Sequence, residues 1–188
     1  MTLTDVTVDT KNQTFKGETL TFNNLDNITF TNCIFERITF SDLNISNIKF
    51  ITCEFKNCIW DNVSIIKTDF YNSKFINASF NNSKLNKVIF DDSLVVTMDY
   101  LDSSLTECEY KISKIDDIRI TKSSLNNIKF TNSKIDNIEI YNNTCNEVYL
   151  YSSKINTIMG DINNLRGFYM SMEQILDLID KIGINLHE

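Results

Sequence analysis

Residues 127–143 read NIKFTNSKIDNIEIYNN, and an apolar side chain returns there at every fifth position: Phe130, Ile135 and Ile140. Five is neither the helix period of about 3.6 nor the strand period of 2. Followed outward, the column runs from Phe15 to Leu165 through 31 consecutive sites, and only Gly160 lacks an apolar side chain. If a column residue is i, the residue at i−2 is also apolar or small, as at Ile28, Cys33, Ile38, Ser123, Ile128 and Ser133. Positions i−1 and i+1 are mostly Thr, Lys, Asp, Glu, Ser or Asn. That is strand alternation, with i−2 and i pointing inward. Because five is odd, the strand cannot continue in phase, so i+2 must be a corner that resets it.

Asn fills that corner at 27, 32, 47, 57, 62, 72, 77, 82, 127, 132, 137 and 142. Asn tolerates left-handed backbone and bonds its own neighbouring backbone. In a chain with no Pro and only 4 Gly, it must do the turning. A short strand and a bend, repeated with the same side always inward, wind into a solenoid.

The 188 residues are enough for one domain with a real core. A net charge of −7 argues against direct nucleic-acid binding, which needs clustered Lys and Arg. The opening MTLTDVTVDTK holds no apolar core of signal-peptide length, and no apolar run approaches a membrane span. A soluble, cytoplasmic protein without membrane contact is expected. Five Cys without CxxC spacing fit a reducing compartment. The single histidine, His187, argues against His-based catalysis and multi-His metal sites.

The tandem quintet resembles the pentapeptide-repeat family, whose signature is Ala-(Asp/Asn)-Leu-X-X. The N-S-K-(Phe/Leu/Ile) units at 72–75, 82–85 and 132–135 carry the likeness well, although i−2 is Ser, Ile or Cys here more often than Ala. The resemblance covers residues 15–165 and implies an all-β solenoid: a right-handed quadrilateral β-helix with four quintets per coil. Residues twenty apart should then stack. Phe30, Phe50, Phe70, Phe90, Tyr110 and Phe130 would form an aromatic ladder ended by Leu150, and Ile45, Ile65, Leu85, Leu105 and Leu125 an aliphatic column. Ser123 and Ser133 would fall on two opposite faces, Ile128 and Ile138 on the other two, balancing the core. Cys33 and Cys53 would stack in adjacent coils as small apolar fillers.

The ends should be caps. In residues 1–14, Leu3, Val6 and Val8 read as a strand over the first coil. In residues 166–188, Ser171 and Gln174 have capping-box spacing for a short α-helix. Ile175, Leu176, Ile179 and Ile182 make one apolar stripe, and Gly183 suits the position past the helix end. The segment SMEQILDLIDKIGINLHE resembles the C-terminal module of Qnr-type quinolone-resistance proteins, which implies a homodimer joined end to end. The apolar load of Phe168, Tyr169, Met170 and Met172 agrees with that.

No Ser/His/Asp set, P-loop, GxGxxG or HExxH is present, so a non-enzyme without cofactor or metal is expected. Function should lie on the outer faces, in protein–protein interaction. Ile76, Leu94 and Val96 fall together as a candidate apolar contact patch. The Qnr resemblance implies an alternative, a DNA mimic that binds DNA gyrase or topoisomerase IV. Its candidate acidic surface is Asp91, Asp92, Asp99, Asp102, Glu107, Glu109, Asp116 and Asp117. Against Lys111, Lys114 and Arg119 these leave a net of −5 between 91 and 119. Stacking at twenty residues makes them a belt, however, and aligns Lys74, Lys114, Lys134 and Lys154 in a positive column. The loops that Qnr-type proteins commonly project are absent from the unbroken register.

Overall fold

Strands pair in parallel across a constant step of twenty residues, as in Phe30↔Phe50, Ile65↔Leu85, Ile115↔Ile135 and Tyr149↔Tyr169. The computed structural model describes residues 6–21, 24–160 and 162–181. It is a β-solenoid of about 8 turns with one short C-terminal helix. Four quintets make each coil, and the strands gather into two 12-stranded parallel sheets.

The corners explain the winding. Asn27, Asn32, Asn47, Asn57, Asn62, Asn72, Asn77, Asn82, Asn127, Asn132 and Asn142 all have positive φ, between 47° and 57°. Arg37, Thr52, Lys67, Lys87, Glu107 and Ile112 adopt the same conformation in the same role. The fold therefore imposes the left-handed corner even where the residue does not favour it. Corner amides stay in the ladder: Asn32 donates to the Ile51 carbonyl and Asn72 to that of Asp91, both at 2.9 Å. One column of corners changes midway. Gly17, Arg37, Asn57 and Asn77 are left-handed, whereas at Thr97, Asp117 and Asn137 extended strands run through the bend, in Leu94–Leu101, Lys114–Thr121 and Lys134–Tyr141.

Inside, the expected ring ladder is present, with centroid spacings of 5.1, 4.9, 5.0, 4.6 and 4.9 Å from Phe30 to Phe130. Two further ladders stand beside it: Phe15–Phe35–Phe55–Phe75, and Phe40–Trp60–Phe80–Tyr100. The aliphatic column Ile45–Ile65–Leu85–Leu105–Leu125 completes the square, fully buried. Small serines occupy the second inward layer on two opposite faces. Each hydroxyl there accepts from the backbone amide one coil earlier, as in Ser73→Ser93 at 3.2 Å and Ser83→Ser103 at 3.0 Å. The same hydroxyls contact buried carbonyls such as those of Phe70 and Phe80. These buried hydroxyls are thus paired, as a dry core requires. Cys33 and Cys53 are free, buried thiols that donate to backbone carbonyls, consistent with filler.

The register extends on both sides of the fifth-residue column. Thr10–Lys11 pairs with Phe30–Thr31, and Phe168–Tyr169 pairs with Val148–Tyr149. Leu165, last in the column, sits half-buried in a 3-10 turn, Ile162–Leu165, rather than a strand. The helix is Met172–Lys181. Leu3, Ile182 and Gly183 lie outside the described residues. Among the described residues no helix is long and apolar enough to cross a membrane.

Candidate functional site: outer faces and the C-terminal end

The eight carboxylates of the candidate acidic surface encircle the solenoid, and most are engaged. Asp91 pairs with Lys111 at 3.2 Å, Glu107 with Lys87 at 3.7 Å, Asp99 with Arg119 at 3.9 Å and Asp116 with Lys114. Glu109 accepts from Thr131 Oγ1 at 2.6 Å, and Asp117 from Asn137 Nδ2 at 2.9 Å. Asp92 and Asp102 occupy left-handed corners. Burial pushes the Asp99 carboxyl above its ordinary range, with Arg119 opposing the shift. The lysine column is in register as expected, Lys114↔Lys134↔Lys154. It is flanked two residues along by Asp116 and Asp136, and Lys134 meets Asp136 at 3.4 Å. Exposed pairs of this kind contribute about 0–1 kcal/mol each. They offset the field only locally, since Glu109 and Asp117 are held by neutral partners that cancel no charge.

Ile76, Leu94 and Val96 are half-buried, and Leu94 lies in register between Lys74 and Lys114. Exposed apolar residues are scattered singly at Val8, Tyr71 and Ile112, but six occur near the C-terminal end: Tyr151, Met159, Tyr169, Met172, Ile175 and Leu176, with Met172 at 71%. Phe168 and Ile179 are half-buried, and Phe168 packs against the core. Tyr151 and Met159 gave no sequence signal, since they occupy outward sites like any others. Tyr151 gains its importance from the start of the helix, where Ser171 and Glu173 line a cleft with it.

Gln174 joins that helix to the solenoid. Its Oε1 accepts from the Ser171 amide at 2.8 Å, and its own amide donates to Ser171 Oγ at 3.2 Å, which is the expected capping box. Its Nε2 also donates to the Leu150 carbonyl at 2.9 Å and the Ser153 carbonyl at 2.8 Å. One side chain thus closes both the helix start and the last coil. Among the described residues no group of three or more His, Cys, Asp or Glu is placed to hold a metal.

This geometry defines a four-sided parallel β-solenoid whose structural unit is five residues long. A family model described as Pentapeptide repeat region matches residues 14–90. The same five-residue unit carries on in register through Ile155, so the likeness to pentapeptide-repeat proteins extends past the matched stretch. Among solved structures, it is similar to full-length QnrB1, a plasmid-mediated fluoroquinolone resistance protein. The two share 17% identity over 93% of this chain and 99% of that one, at a TM-score of 0.46. HetL, a pentapeptide repeat protein involved in heterocyst differentiation regulation in the cyanobacterium Nostoc sp. strain PCC 7120, matches at 12% identity. That match covers 87% of this chain and 90% of HetL, at a TM-score of 0.26. No curated protein sequence matches.

Proposed function

We propose that this is a non-enzymatic interaction protein that acts through its outer surface and self-associates at its C-terminal end. The observation that carries the reading is the exposed apolar set Tyr169, Met172, Ile175 and Leu176 beside the last coil. A two-fold contact would bury the same patch from both copies. Inward side chains are consumed by packing, which leaves the outside for recognition of a partner protein. Five free thiols fit a reducing, cytoplasmic setting. Light scattering at micromolar concentration is expected to return twice the chain mass of 21.8 kDa. The double variant Met172→Glu, Leu176→Glu should return the single mass, and a wild-type mass of one chain overturns the reading.

A second reading is DNA mimicry, with DNA gyrase or topoisomerase IV as partner, and the net charge of −7 favours it. Coils about 4.8 Å apart give a rod of roughly 37 Å. Its net charge is then about one per 5 Å, against one per roughly 1.7 Å for duplex DNA. Ion pairing across the coils weakens the likeness further. A supercoiling assay with purified gyrase decides it: no inhibition and no quinolone protection at high protein excess ends this reading.

A further inference from the structure

Lys114 and Lys134 each close on an aspartate two residues along their own strand, Asp116 and Asp136. Lys154, next in the same column, has Asn156 at that position, and the Asn156 amide is turned to Asp136 at 2.7 Å. Lys154 is left without an ion pair among the described residues. Across from it the helix carries Glu173 and Asp177, four residues apart and therefore on one side of the helix. Neither has an ion pair among the described residues. The ring of Tyr151 is 59% exposed and rests edge-on against Tyr149 at 6.2 Å, and its hydroxyl has no hydrogen-bond partner among the described residues. Tyr151, Lys154, Asn156, Ser171, Glu173 and Asp177 all line one cleft of about 470 Å³ between the last coil and the helix.

We propose that this cleft binds a small zwitterion of the α-amino-acid class. The ammonium lies against Glu173 and Asp177, and the carboxylate accepts from Lys154 Nζ and the Tyr151 hydroxyl. The lysine and the two carboxylates share a cleft yet stand beyond ion-pairing distance of each other, so a ligand carrying both charges bridges what the protein leaves open. A plain cation would meet Lys154, and a plain anion would meet two carboxylates. A neutral polyol would leave all three charges unmatched. The volume lies within the range of about 300–1,000 Å³ common for small-molecule sites. This inference does not depend on self-association.

The test is an amide-resolved NMR titration of the full chain with L-alanine, run beside propionate, propylamine and glucose. L-Alanine is expected to shift the amides around Lys154 and Glu173–Asp177 saturably. Propionate and propylamine, each offering one charge, should bind at least about fivefold more weakly, the factor that a lost exposed charge contact of about 1 kcal/mol implies. Lys154→Gln and Asp177→Asn should each weaken L-alanine binding by about that factor without moving the melting temperature. No saturable shift overturns the proposal, and so does an equal response to glucose or propylamine. Shifts that track protein concentration instead of ligand would assign these charges to a contact between copies, and the proposal would fall.

Discussion

Tyr100 and Tyr110 come from opposite faces of the solenoid, and their hydroxyls hydrogen-bond to each other in the middle of the core. Both rings are fully buried and stand in ladders otherwise made largely of Phe. The Tyr110 hydroxyl has a second neighbour, Met98 Sδ at 3.6 Å, whereas the Tyr100 hydroxyl has no second partner among the described residues. The two single substitutions are therefore unequal. Tyr110→Phe strands the Tyr100 hydroxyl and should cost about 1–3 kcal/mol, the usual penalty for a buried unpaired group. Tyr100→Phe should cost less, because Tyr110 can turn to Met98. The double Phe variant should recover most of the loss. Urea melts of the four proteins check the order, and a costlier Tyr100→Phe would contradict this account of the pair.

Burial also makes the fold sensitive to alkali. It pushes the thiols of Cys58, Cys108 and Cys145 up to about 11 and that of Cys53 to about 12, against an ordinary value of 9.0. It raises the hydroxyls of Tyr100 and Tyr110 above their ordinary 10.0. In the unfolded chain these groups lose protons near their ordinary values, while the folded chain keeps them. The folded state then holds more protons than the unfolded one, so stability falls as pH rises. Each fully buried group contributes up to about 1.4 kcal/mol per pH unit, and the half-buried Cys145 less. Melting temperature should be level from pH 6 to 8 and drop steeply between 9 and 11. A flat profile to pH 11 would contradict it.

Ile112 is a misfit the fold tolerates. It turns a corner at φ 51°, where its column has Asn72, Asp92 and Asn132 at 47°, 50° and 50°. A β-branched residue in the left-handed region carries strain of about 1–2 kcal/mol. Since Ile112 is 55% exposed, its replacement sacrifices little burial. Ile112→Asn should therefore stabilise the protein by about 1 kcal/mol. Denaturant midpoints decide this, and a destabilised variant would mean that the isoleucine side chain packs favourably at the corner.

The core was legible because a solenoid repeats its own geometry. Once each quintet was read as strand plus corner, Phe50 and Phe70 had to stack, and their centroids are 4.9 Å apart. The ladders through Phe35 and Trp60 lay in the same column at the same twenty-residue spacing, so they were readable by the same rule. Outward positions follow no such rule. Whether Asp91 meets Lys111 or Asp116 meets Lys114 depends on side-chain reach between and along coils, which the repeat does not constrain. The cleft beside Lys154 depends on how the helix docks, and no local pattern encodes that. Asn156 was visible as a break in the Asp116, Asp136 column, but it gains meaning only once Glu173 and Asp177 are placed opposite.

That docking rests on Gln174, and the amide distinguishes its two tasks. Its oxygen serves the helix by accepting from Ser171, and its nitrogen serves the solenoid by donating to Leu150 and Ser153. Gln174→Glu keeps an acceptor for the capping box. It replaces the shared donor with a carboxylate aimed at two carbonyls. Gln174→Ala removes both functions but introduces no repulsion. If the solenoid contact dominates, Glu should be the worse substitution at neutral pH, costing about 1–3 kcal/mol for unpaired carbonyls with repulsion added. The Glu variant should regain stability as the pH falls toward 4, because a protonated carboxyl can donate again. The Ala variant has no group there to protonate, so its loss should not recover in that way. Hydrogen exchange of the helix amides, followed against pH for both variants, separates the cases. If Glu behaves like wild type at neutral pH, Gln174 caps only its own helix and the last coil is closed by something else.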